Sequence, residues 1–254
     1  MSKHLIPREH GAYAELGFPL VAGLVLGRPG WAGWLFVLAA VLLFLANESV
    51  VVLAGARGKR AREENGPRAR RTLAILGSLG IAAGLAALAV ADTRTRLLTL
   101  VPAAFALGLV PVVLSKNLKT LPGELVAAAA FSAMYLPVAA AGGIAGPLLW
   151  GPPVVWFAGT VVATLAVHAI KSRVTRQNTW VILGADAAAL VALLAAITVA
   201  LLWPDVRLLA IAACIPLAAT AVINFLALSP KKLKAVGWAV VAANTAALGV
   251  MTAA

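Results

Sequence analysis

Four carboxylates in this chain sit inside long apolar runs or within two turns of their ends: Glu15, Glu48, Glu124 and Asp186. His168 and the amides Asn47 and Asn224 share that setting. A charged side chain facing lipid costs about 2.5–3.5 kcal/mol even on lenient insertion scales. These groups are therefore expected to face one another or water, as the polar pocket of a membrane protein. Carboxylates at such depth suit proton or cation sites, or contacts to a polar head group. No residue among them stands in a pattern that assigns a catalytic role.

A second set of residues is suited to anions. Arg57, Arg60 and Arg62 follow the second apolar run, and Lys171, Arg173 and Arg176 follow the sixth. Guanidinium presents a planar fork that matches phosphate oxygens. If the two segments meet, six cations converge and call for an anion such as a phosphate or diphosphate. The competing account is orientation, because basic residues flank spans on the cytoplasmic side whether or not they bind anything. No metal centre is expected: HExxH, CxxC and acidic clusters are absent. A GxSxG elbow and a phosphate-binding Gly-rich loop are absent too. Cys214 is the single cysteine, which excludes an intrachain disulfide.

The elements that must position these groups are apolar helices. The chain has 254 residues, of which 62% are apolar, and a mean hydropathy of +0.97. Soluble domains are roughly 45–50% apolar. The excess lies in runs near the length of about 20 residues that crosses a bilayer. Nine spans are predicted, at 12–27, 31–54, 72–91, 97–114, 121–144, 154–170, 180–203, 208–228 and 235–253. The result is an all-α, polytopic helical bundle, a single integral membrane domain over 1–254. Gly66-Pro67 is expected to separate the arginine-rich segment from the third helix, and 142–153 is expected to be a turn.

The net charge of +12 is not a nucleic-acid footprint, because the cations fall in alternate loops. One side holds the amino-terminal segment, Arg57–Arg71, Lys116/Lys119, Lys171–Arg176 and Lys231–Lys234; the other holds Arg28, Arg94, Arg96 and Arg207. That asymmetry predicts a cytoplasmic N-terminus in a bacterial inner membrane. Glu9, His10 and Glu15 interrupt the opening apolar stretch, so it reads as a retained tail and not a cleaved signal. All the candidate pocket residues then fall in the cytoplasmic half, with Asn244 nearer mid-depth. Glu48 is expected to pair with His168 or with a cation from Lys171–Arg176.

Three stretches carry a resemblance: PREHGAYAELGFPLVAGL, NESVVVLAGARGKRAREENGPRARR and HAIKSRVTR. Together they resemble the YwiC-like family of bacterial integral membrane proteins, which implies membrane residence and no particular activity. The nine-helix plan, as two four-helix units plus one, also resembles the UbiA superfamily of intramembrane prenyltransferases. That resemblance implies a lipid diphosphate and magnesium held by aspartates after helices two and six. Here the first position reads Asn47-Glu48, and the second offers His168, Lys171 and Arg173 with no carboxylate. Magnesium prefers several hard oxygen ligands, so no cofactor is expected and magnesium stands only as the alternative. The functions carried forward are three. The first is an enzyme or binder acting on an isoprenoid or phospholipid with an anionic head group. The second is a proton- or cation-coupled transporter, and the third an assembly subunit without a ligand.

Overall fold

The computed structural model describes residue 5, residues 10–175 and residues 179–253. Among the described residues there is no strand, and nine helices follow in order. They are α1 (His10–Gly27), α2 (Trp31–Leu53), α3 (Lys59–Val90), α4 (Thr93–Leu114), α5, α6 (Pro147–Thr175), α7 (Thr179–Leu202), α8 (Arg207–Phe225) and α9 (Leu233–Met251). Helix α5 has two segments, Leu121–Ala133 and Tyr135–Ala140, joined at Met134. Short 3-10 turns at Pro204–Val206 and Pro230–Lys232 lead into α8 and α9.

Eight of these are long and apolar enough to cross a membrane. The ninth expected span, α1, is shorter: its apolar stretch Gly11–Gly27 is about 26 Å at 1.5 Å per residue, against about 30 Å of hydrocarbon. Large apolar side chains cover the outside, among them Leu85 on α3, Leu107 on α4 and Val191 on α7. A soluble monomer rarely exposes such a continuous apolar belt; lipid accommodates it.

Two expected boundaries are corrected. The arginine-rich segment is not a loop set off by Gly66-Pro67: α3 starts at Lys59 and carries Pro67 inside it. The clash between proline and the preceding residue acts partly through that residue's Cβ, and Gly66 has none. The turn expected at 142–153 is also shorter, because α6 begins at Pro147 and includes Pro152 and Pro153. Pro147 opens the first turn, where a missing N–H would have no partner, whereas Pro152 and Pro153 lie one turn further in and each forgoes an intrahelical hydrogen bond.

The second segment of α5 is the centre of the bundle. Tyr135 to Ala140 are all buried, and the Tyr135 hydroxyl donates to the Leu148 carbonyl at 2.6 Å. Helices α1, α2, α4 and α6 surround it. Helix α1 approaches through Gly23 and Gly27: a Cβ on Gly23 would lie 2.9 Å from Val138 Cβ, and one on Gly27 would lie 3.0 Å from Ala139 Cα. The small-xxx-small spacing of α1 thus serves packing within the chain. Helices α2 and α3 form a tight hairpin, and α6 to α9 pack on one another as a second group.

Candidate functional site

Helix α2 ends in a Schellman motif. Gly55 has φ +74, its N–H reaches Val52 O at 3.0 Å, and the Ala56 N–H reaches Val51 O at 3.1 Å. Glycine takes this left-handed position without the penalty a Cβ brings. The chain reverses there, and Arg57 folds back along α2. Its Nε and Nη2 donate to Glu48 Oε1 and Oε2 at 2.9 and 2.8 Å. The expected partner of Glu48 is therefore corrected: it is Arg57, next to it on the same hairpin, and not the second basic segment. A two-toothed guanidinium–carboxylate pair satisfies a carboxylate that is only 7% exposed.

Helix α4 ends in the same motif with a costlier residue. Lys116 takes φ +61; its N–H reaches Val113 O at 3.0 Å, and the Asn117 N–H reaches Val112 O at 2.9 Å. A lysine here keeps a left-handed backbone that glycine would adopt more cheaply.

These two turns, the N-terminal part of α1 and the ends of α6 and α9 surround one cavity of about 740 Å³. Of the expected pocket residues, Glu15, Asn47, Glu48 and Glu124 line it. Of the expected anion-binding residues, Arg57 and Lys171 line it, together with Lys116 and Lys119. The Glu15 carboxylate lies back towards Gly11, on the mouth side. Phe44 and Phe131 form an aromatic wall, their centroids 5.7 Å apart and their planes at 79°. The lining runs along α6 from Lys171 to Thr160, about 16 Å at 1.5 Å per residue. That is roughly half the hydrocarbon thickness of a bilayer.

His168 stands beside the cavity: its Nε2 is 2.8 Å from Glu124 Oε2, so the wall carries an acid–base pair. Asp186 and Asn224 lie elsewhere, where α6, α7 and α8 meet. Asn224 Nδ2 donates to Ala185 O at 3.3 Å, and Arg173 Nη2 is 3.6 Å from Asp186 Oδ1. Arg173 is near Asp186 because α6 continues to Thr175 and carries it out of the loop. Arg60 and Arg62 are exposed on α3, and Arg60 Nε donates to Glu64 Oε1 at 2.7 Å across one helical turn. Arg176 lies outside the described residues. Among the described residues, no three or more His, Cys, Asp or Glu side chains cluster as a metal site.

Lys116, Lys119, Thr160, Thr164, Thr220 and Asn244 line the cavity without having been singled out as a site. One signal was available: Thr160, Thr164, Val167 and Lys171 recur at helical spacing and so share a face.

Fold and site together define a polytopic helical membrane protein with a largely apolar cavity rimmed by cations and carboxylates at its basic end. Residues 6–140, just over half of the chain, match the family described as YwiC-like protein. The chain belongs to that family. No curated protein and no solved structure matches it.

Proposed function

We propose that the cavity binds an amphiphile with a phosphate or diphosphate head group, as a lipid-binding or lipid-transferring protein of UbiA-like arrangement. One observation carries this reading: Arg57, Lys116 and Lys119 from two connections and Lys171 from the end of α6 rim a cavity whose walls are largely apolar. Lysine and arginine supply charge and hydrogen bonds to phosphate oxygens, and Phe44, Phe131, Val236 and Val240 offer surface to a hydrocarbon chain. The strained backbone of Lys116 supports it, since strain of this kind persists where a side chain is needed in place. On this reading the basic end faces the cytoplasm of a bacterial inner membrane. Lys116, Lys119 and Lys171 then supply charge to the head group, Arg57 being held by Glu48; a magnesium ion is the alternative that a chelator tests.

The test is binding of a short-chain prenyl phosphate to purified protein, with and without a metal chelator. Chelator-resistant binding, weakened about tenfold by Lys171→Ala (one charge-assisted contact) and unchanged by Arg60→Ala, is expected. Binding that vanishes with chelator points to a magnesium site, and absence of binding rejects the head-group reading.

A second reading, proton-coupled transport, is favoured by the Glu124–His168 pair on the cavity wall. Carboxylate–imidazole pairs in membrane bundles serve proton relays. Proton-driven uptake into vesicles that is lost in Glu124→Gln would establish it.

A further inference from the structure

One face of α6 runs inward from the mouth through Lys171, Val167, Thr164 and Thr160, which all line the cavity. One turn deeper on that face comes Trp156, which is 3% exposed; among the described residues its indole N–H has no hydrogen-bond partner. A threonine in a helix commonly donates its hydroxyl to the carbonyl four residues back. Thr99, Thr220 and Thr245 do so, at 2.9, 2.8 and 2.9 Å. Thr160 and Thr164 do not: among the described residues neither hydroxyl has a hydrogen bond, and both front the cavity. Asn244 joins them from α9, where a Cβ on Gly159 would lie 3.9 Å from its Oδ1. Its amide likewise has no hydrogen bond among the described residues. The inner end therefore offers two hydroxyls and an amide to whatever occupies it, and no charge. Every charged lining residue belongs to the outer part.

Polar groups set against apolar walls without partners are costly. A plain hydrocarbon tail at this depth would leave them unsatisfied. We propose that the inner end is a hydrogen-bonding subsite, formed by Thr160, Thr164 and Asn244, for an uncharged oxygen group such as a hydroxyl or carbonyl. Building on the head-group reading, the ligand is bipolar. It has an anionic group at the Lys171 rim and a neutral oxygen about 16 Å further in, the rise of α6 between Lys171 and Thr160.

The experiment compares dodecyl phosphate, 12-hydroxydodecyl phosphate and 1-dodecanol by calorimetry on the purified full chain and on Thr160→Val/Asn244→Leu. In the wild type, 12-hydroxydodecyl phosphate is expected to bind about fivefold more tightly than dodecyl phosphate, the worth of one neutral hydrogen bond. The double variant is expected to erase that gain, with dodecyl phosphate binding at least as tightly as to the wild type because fewer polar groups are left unsatisfied against its tail; an unchanged helical circular-dichroism spectrum and gel-filtration profile report that it is folded. If the double variant does not fold, Thr160→Val alone is expected to halve the gain or more. Equal binding of the two phosphates to the wild type overturns the subsite and leaves the head-group reading standing. If neither phosphate binds, the head-group reading falls and 1-dodecanol decides the subsite. Binding that weakens in the variant supports it, and no binding, or binding indifferent to the variant, overturns it.

Discussion

Arg57 holds both oxygens of Glu48, with donor–acceptor distances of 2.9 and 2.8 Å, across a turn that Gly55 makes possible. The pair joins the end of α2 to the start of the α2–α3 connection and sets one wall of the cavity. The Glu48 side chain is 9% exposed and that of Arg57 is 29% exposed, so the two halves of the pair are unequal.

That inequality predicts an order of effects. Arg57→Ala leaves a buried carboxylate unpaired, and a cost of about 2–3 kcal/mol is expected after allowing for the partial exposure of Arg57. Glu48→Gln keeps an acceptor for Arg57, whose guanidinium can turn to water, and is expected to cost about half as much. Glu63→Gln, on exposed α3 surface, is expected to change stability by less than about 0.5 kcal/mol. Unfolding in detergent checks the order, and equal effects of Arg57→Ala and Glu63→Gln would contradict it.

Lys116 is expected to oppose stability and function. Its backbone is left-handed at φ +61, so Lys116→Gly removes steric strain at some cost in chain entropy. A net gain of about 0.5–1 kcal/mol is expected. The same change removes a rim cation, and binding of the prenyl phosphate should weaken severalfold. A variant that is less stable, or that binds as well as wild type, would remove Lys116 from the site.

Sidedness follows from the basic end. Reporter domains inserted at Asn117, in the α4–α5 connection, and at Gly143, in the α5–α6 connection, should report opposite compartments. The Asn117 fusion should be cytoplasmic. The same compartment for both would mean that α5 does not cross.

Asp92 caps α4 at the opposite end, outside the spans. The side chain and backbone N–H of Thr95 hold its carboxyl below the ordinary value. The Thr95 N–H donates to Asp92 Oδ1 at 2.8 Å. Since the folded value is the lower one, the cap's contribution is present above the ordinary carboxylate range and is lost as pH falls through the folded value. Asp92→Ala should therefore lower the melting temperature near neutrality, and the gap to wild type should close in acid. A gap independent of pH would show that the carboxylate is not what stabilises the α4 start.

Much of the architecture was determined by the sequence. The apolar runs required membrane-type helices, and eight of the nine proposed spans have the length and composition to cross. The alternation of basic connections placed the polar residues in one half of the chain's depth, and Glu15, Asn47, Glu48 and Glu124 do meet in one cavity there. Hydropathy reports depth well because each lipid-facing residue is tested separately against hydrocarbon. The tertiary structure decided which of those residues face one another. Helices that are apolar on every side carry little periodic signal for direction around their axis, and direction comes from packing, as where Gly23 and Gly27 set α1 against α5. A left-handed glycine gave Glu48 to Arg57; extra turns at the end of α6 put Arg173 beside Asp186; and the continuation of α3 through Pro67 left Arg60 exposed, paired with Glu64. The threonines at the inner end of the cavity escaped notice for the same reason. Their residue type is ordinary in a membrane helix, and only the packing of α6 and α9 on α8 turns them towards a common space.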